Sequence, residues 1–159
     1  MSDDDLVRKA LEKRLKAQHA ALLAVIPDDW KDELVGAGWP VDEFPIKWPN
    51  IAFNASKAIT YLQFTFHPSS VKYPELGRRS RKESEGFALI GVRTPEGAGD
   101  DISGDLVKVI ETAYPYADDL EEGGLTVRIE GVEGRPGYGS DGKWYRPVNV
   151  NWLISRRPS

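Results

Sequence analysis

The sequence predicts an α+β domain, a mainly antiparallel four-stranded sheet with two helices packed on one face. Three observations predict it. Apolar residues recur at helical spacing in two segments, β-branched and aromatic residues cluster or alternate in four others, and the segments follow the order helix, strand, strand, helix, strand, strand. The 159 residues suit one domain, 1–159. A chain of this length buries roughly 70% of the surface that its unfolded form exposes.

The first helix is read over residues 5–26, where Leu6, Val7, Ala10, Leu11, Leu15, Leu22, Val25 and Ile26 fall largely on one face. Asp3 to Asp5 offer an N-cap and place negative charge at the helix's positive end, and Pro27 stops it. Residues 27–54 carry Pro27, Pro40, Pro45 and Pro49 among Trp30, Trp39, Phe44 and Trp48, and read as a connector without regular helix. Its aromatics should pack on the domain, because exposing three tryptophans forgoes several kcal/mol at ~25 cal/mol per Å².

Within 55–159, residues 59–66 and 86–93 are rich in β-branched, aromatic and aliphatic types and read as two strands. Between them the 67–85 segment is longer than a hairpin needs and reads as a functional loop. A second helix follows Gly97-Ala98-Gly99, with Ile102, Leu106, Val109, Ile110 and Ala113 as its apolar face and Pro115 as its limit. Leu125, Val127 and Ile129 alternate with polar neighbours as a third strand, and a Gly-rich loop over 133–142 leads to a fourth over 143–155. There Trp144, Val148, Val150, Trp152 and Ile154 share the face expected to be buried, with Arg146 among them. Pro147 cannot donate a ladder hydrogen bond, so an edge or a bulge is expected at that point.

Composition removes several classes of chemistry. The absence of cysteine excludes disulfides, thiol nucleophiles and cysteine-held zinc or iron–sulfur groups. His19 and His67 are the only histidines, and neither has a partner at metal-ligand spacing, so no metal and no cofactor is expected. His19 lies near the apolar stripe and reads as a partly buried or interface residue. Gly97-Ala98-Gly99 resembles a dinucleotide loop in position, but Ile102 stands where the third glycine belongs and Asp100 and Asp101 oppose a pyrophosphate. No G-x-S-x-G is present; a Ser-His-Asp triad, which converges only in three dimensions, is the enzymatic alternative to a protein that is not an enzyme. The N-terminus is acidic and no apolar run approaches a membrane span, so the protein is read as made in the cytoplasm, with no membrane partner.

The net charge of −4 sets no uniform positive field. Locally, Arg78, Arg79, Arg81 and Lys82 put four positive charges within five positions, with Lys72 nearby. Three readings stand side by side: a solubilising loop tip, a contact with an acidic patch on a neighbouring subunit, and non-specific contact with DNA phosphates. Asp118, Asp119, Glu121 and Glu122 form the candidate complementary patch, although a charge run before Gly123-Gly124 also reads as a solvated turn.

Taken in order, the N-terminal amphipathic helix, Trp48-Pro49-Asn50-Ile51-Ala52-Phe53, the strand ending in Phe66-His67-Pro68, Gly86-Phe87, Thr94-Pro95-Glu96-Gly97-Ala98-Gly99 and the tryptophan-rich last strand resemble the phage tail-terminator family. The likeness spans nearly the whole chain, and the stretch from Trp30 to Phe44 departs from it in length and aromatic content. The resemblance implies a structural virion protein of the tail or neck. Such a protein forms a ring, usually a hexamer, that caps the tail tube, stops its polymerisation and offers the head–tail joining surface. Implied partners are copies of itself, the tail-tube protein, the head–tail connector protein and phage DNA passing non-specifically through the lumen. The alternatives are a neck or head–tail completion protein of similar fold, which gene neighbourhood would separate, and a non-specific DNA-binding module.

Overall fold

The computed structural model describes residues 2–72, 82–98 and 100–156, with the backbone alone at 69–72, 82 and 156. Among these residues one seven-stranded sheet, strongly curled into a half-barrel, carries four α-helices. The helices are α1 (Asp3–Lys16), α2 (His19–Ala24), α3 (Asp28–Gly36) and α4 (Asp100–Ala113). The strands are β1 (Ile46–Lys47), β2 (Tyr61–Lys72), β3 (Lys82–Pro95), β4 (Asp119–Glu122), β5 (Leu125–Gly134), β6 (Tyr138–Ser140) and β7 (Lys143–Arg156). Their order is β1-β2-β3-β7-β5-β4, with β6 also on β7. The expected four-stranded, mainly antiparallel sheet with two helices is therefore corrected: the sheet has seven strands and is mixed, because β1 pairs parallel to β2.

Each departure has a local cause. Strands β1, β4 and β6 are two, four and three residues long, too short to display a period. The single helix expected over 5–26 divides at Ala17 and Gln18. There the Gln18 backbone N–H turns to Leu15 O at 3.0 Å, and the Gln18 side-chain amide donates to Arg14 O at 3.1 Å, taking the place that its own backbone leaves. Pro27, expected only to stop a helix, is also the N-cap of α3, where its missing N–H costs nothing. Trp30 and Leu34, one turn apart, bury that helix's inner face, so the connector is partly helical after all.

The long hairpin also differs. Strands β2 and β3 continue to Lys72 and Glu83 across a register shift between His67 and Ser70, so 68–72 and 82–85 are strand where a loop was expected; 73–81 lie outside the described residues. Pro147 sits in a strand flanked on both sides. It is tolerated because its carbonyl faces the gap between β5 and β6, where Arg135 N–H donates to it at 2.9 Å, so no ladder donor is missing.

The concave face of the sheet holds the core. Val148, Val150, Trp152 and Ile154 of β7 lie between Ala88, Ile90 and Val92 of β3 and Val127 and Ile129 of β5, all buried, and α1 and α4 close over them. Trp152 stacks on Phe66 with centroids 5.7 Å apart and planes 9° from parallel. Its ring lies flat on Gly86, where a Cβ would stand 2.6 Å from Trp152 Cζ2, so no larger residue fits opposite it. Arg14 and Tyr114 tie the helices together: Arg14 Nη1 donates to Ala113 O at 2.8 Å, and the Tyr114 hydroxyl donates to Leu11 O at 2.7 Å.

Between α4 and β4 the chain turns through Ala117 at φ 64°, held by Ala117 N–H to Ile129 O at 2.7 Å and Asp118 N–H to Pro115 O at 3.1 Å. A Cβ in this left-handed region crowds the following carbonyl, costing roughly 1–2 kcal/mol. Glycine removes that strain at some loss of unfolded-state entropy. Ala117→Gly is expected to raise stability by about 0.5–1 kcal/mol in urea denaturation; an unchanged or lower midpoint contradicts the strain.

Candidate functional site

Charge is distributed unevenly over the surface of the fold. Of the expected basic cluster, Arg78, Arg79 and Arg81 lie outside the described residues, and Lys72 and Lys82 are placed by backbone alone. The register sets Lys82 opposite Arg156 and Lys72 opposite Glu83. Lys72, Lys82 and Arg156 therefore share one end of the β2-β3-β7 sheet.

The expected acidic patch is brought together along β4 and the residue before it, but its carboxylates are engaged within the chain. Asp118 accepts from Arg14 Nη1 at 2.9 Å, Asp119 from Arg128 Nε at 3.2 Å, Glu121 from the Thr126 hydroxyl at 2.8 Å and Glu122 from Lys13 Nζ at 2.7 Å. Three cations thus offset four anions, and the pairs fasten β4 to α1 and β5. The sequence alone hides this, since α1 and β4 are more than a hundred residues apart.

A second acidic surface is scattered along the sequence and becomes visible only in the fold. Between residues 28 and 43, Asp28, Asp29, Asp32, Glu33, Asp42 and Glu43 are all exposed, against Lys31 alone. Val35 and Val41 are exposed beside them, at 47% and 78%. Trp39, just past α3, donates its Nε1–H to Lys57 O at 2.7 Å, and Lys143 Nζ reaches the next two carbonyls, Ala58 O and Ile59 O, so the end of α3 lies near the first residue of β7. The last residue of β7 pairs with Lys82, so the acidic surface and the basic end are separated by the length of a fourteen-residue strand, roughly 40 Å. Burial, the larger influence on Lys143, holds its ammonium below the usual lysine range, and its Nζ donates to Ala58 O at 3.2 Å and Ile59 O at 2.8 Å.

Next to Lys143 the inner face of the sheet carries an unusual polar group. Thr94 and Trp144 are opposite one another and Arg146 follows two residues along β7. Thr94 Oγ1, Trp144 Nε1 and Arg146 Nε are each buried without a hydrogen-bond partner; the one other such side-chain atom among the described residues is Trp152 Nε1. Leaving a buried polar atom unsatisfied costs roughly 1–3 kcal/mol, so three together call for an explanation. The first turns of α4 cover them: a Cβ on Gly104 would lie 3.3 Å from Arg146 Nη1. Beside them opens a cavity of about 280 Å³ lined by Pro95, Gly97, Asp100 and Trp144.

The two histidines have structural surroundings. His19 Nδ1 accepts the Phe44 N–H at 2.9 Å, fastening the connector to α2, and His67 stacks on Phe87 at 4.3 Å. Among the described residues no group of three or more His, Asp or Glu side chains could hold a metal, and no helix is long and apolar enough to cross a membrane.

Residues 6–152 match the family model described as phage tail terminator protein. No curated protein sequence matches the chain. One solved structure, 22% identical and covering 100% of this chain and 99% of its own, superposes with a TM-score of 0.68, a likeness of fold. A chain from the virion of a native gene transfer agent particle is 15% identical over 88% of this chain and 94% of that one, with a TM-score of 0.43.

Proposed function

The chain belongs to the phage tail terminator family, with a structural role in tail assembly, and we propose that it acts by closing into a ring, a hexamer, on the end of the tail tube. In this reading the ring stops tube polymerisation and presents the surface that joins the tail to the head connector, with DNA passing through it without sequence recognition. The observation that carries the reading is the family match over 6–152. The charge distribution supports it. A closed ring needs two different surfaces that fit one another, and oppositely charged ends set far apart on one subunit meet only between subunits. Lys72 and Lys82 at the basic end, with Arg78, Arg79 and Arg81 between them in the sequence, are the proposed donors of that contact. The exposed acids of α3 and the connector are its acceptor in preference to Asp118, Asp119, Glu121 and Glu122, whose charge Lys13, Arg14 and Arg128 already offset.

Native mass spectrometry tests the ring, and electron microscopy with tail tubes tests its position. The expected results are one closed oligomer and density at tube ends. A chain that stays monomeric at high concentration and never binds tube ends overturns the reading. Reversing charge at Asp32 and Glu33 to lysine is expected to weaken self-association at least tenfold, and Arg78→Glu with Arg79→Glu is expected to restore it. If the basic reversal instead abolishes DNA binding and its salt dependence while leaving assembly intact, the cluster neutralises phosphates.

A further inference from the structure

We propose that Arg146, Trp144 and Thr94 form a socket for a carboxylate beneath the first turns of α4. The polar inventory points to the ligand's chemistry. Arg146 Nε–H and Trp144 Nε1–H can only donate, and the Thr94 hydroxyl can donate, so what the group lacks is an acceptor. No hydrogen bond or ion pair among the described residues engages the Arg146 side chain, although Asp100 lines the adjoining cavity. A guanidinium presents its donors as a planar fork that fits a carboxylate in bidentate fashion, and Trp144 and Thr94 lie on the same face of the sheet as Arg146.

The surroundings narrow the class further. The cavity, at about 280 Å³, has room for an acidic side chain or a small organic acid. Its Pro95 and Trp144 walls suit the apolar stem of such a group. Asp100 on the rim and Asp101 beside it penalise the higher charge of a phosphate more than the single charge of a carboxylate. The carboxylate comes either from an acidic side chain of another chain in the assembled tail or from a free small acid. The socket itself is independent of ring closure.

The test uses the full chain labelled with nitrogen-15 and follows the Trp144 indole N–H, assigned with Trp144→Phe, during titration with acetate. A saturable shift of that resonance is expected, with Trp152 Nε1–H unmoved as the control, and with affinity at least tenfold weaker in Arg146→Met. Phosphate is expected to bind more weakly than acetate; tighter binding of phosphate overturns the carboxylate assignment. A Trp144 shift that appears on assembly rather than with acetate, and is lost in Arg146→Met, identifies a partner's side chain as the source. If neither acetate nor assembly moves the resonance, or if Arg146→Met responds as the natural chain does, the socket is refuted and the buried atoms are satisfied by water alone. Should Arg146→Met fail to fold, Thr94→Val removes one member of the group without removing a charge and must weaken acetate binding for the proposal to stand.

Discussion

Replacing Trp152 with alanine is expected to lower unfolding free energy by about 3–5 kcal/mol, enough to take away much of the stability of an ordinary domain. The side chain is fully buried and sits where three strands meet: Gly86 on β3, Ile129 on β5 and the Phe66 ring of β2 all pack on it. Because its neighbours belong to three different strands, the cavity left by alanine cannot be filled by a small shift of one strand. Trp152→Phe keeps an aromatic plane for Phe66 and removes the unpartnered indole N–H, so its loss should be well under half that of alanine. Chemical denaturation read by circular dichroism distinguishes the two. An alanine variant within 1 kcal/mol of the natural chain means that Trp152 does not organise the sheet.

Trp152 also illustrates how much of the fold was legible in the sequence. Its alternation with Val148, Val150 and Ile154 identified the buried face of the last strand, and the periods of α1 and α4 were equally plain. What could not be read has physical causes. A strand of two to four residues shows no period, so β1, β4 and β6 were invisible, and the charged residues of β4 looked like a turn because their counter-charges lie on α1 and β5. Pro27 signals in the sequence only the end of a helix, while in the fold it also begins one.

The surface candidates were less legible than the core. A run such as Arg78 to Lys82 stands out because its charges are adjacent in sequence, whereas the α3 acids are interspersed with Trp30 and Leu34, which face inward. The same helical period that buries those two residues gathers the carboxylates outside. The socket at Arg146 was hidden for another reason. The alternation of the last strand puts Arg146 on the buried face, but that α4 covers it there, with Gly104 beside its guanidinium, is set by the fold alone.

Tyr114 carries the second large effect and gives the protein an alkaline limit. Its ring is buried at the end of α4, and its hydroxyl donates to Leu11 O of α1 at 2.7 Å, joining the two helices that close the core. Tyr114→Ala is expected to cost about 3–5 kcal/mol and Tyr114→Phe about 1–2 kcal/mol, the latter measuring the hydroxyl and the carbonyl it leaves without a partner. Burial pushes the phenol far above its ordinary value of 10.0, and burial likewise raises Tyr61 and Tyr145. The folded chain therefore retains protons that the unfolded chain releases above pH 10. Stability is fully present below that pH and declines above it, by up to about 1.4 kcal/mol per pH unit for each tyrosine held neutral. In Tyr114→Phe the fall in stability between pH 10 and 12 should be shallower by about one proton's worth, even though the variant is less stable at pH 7. A slope identical to that of the natural chain would show that Tyr114 ionises as freely folded as unfolded, and that the bond to Leu11 does not hold α1 against α4.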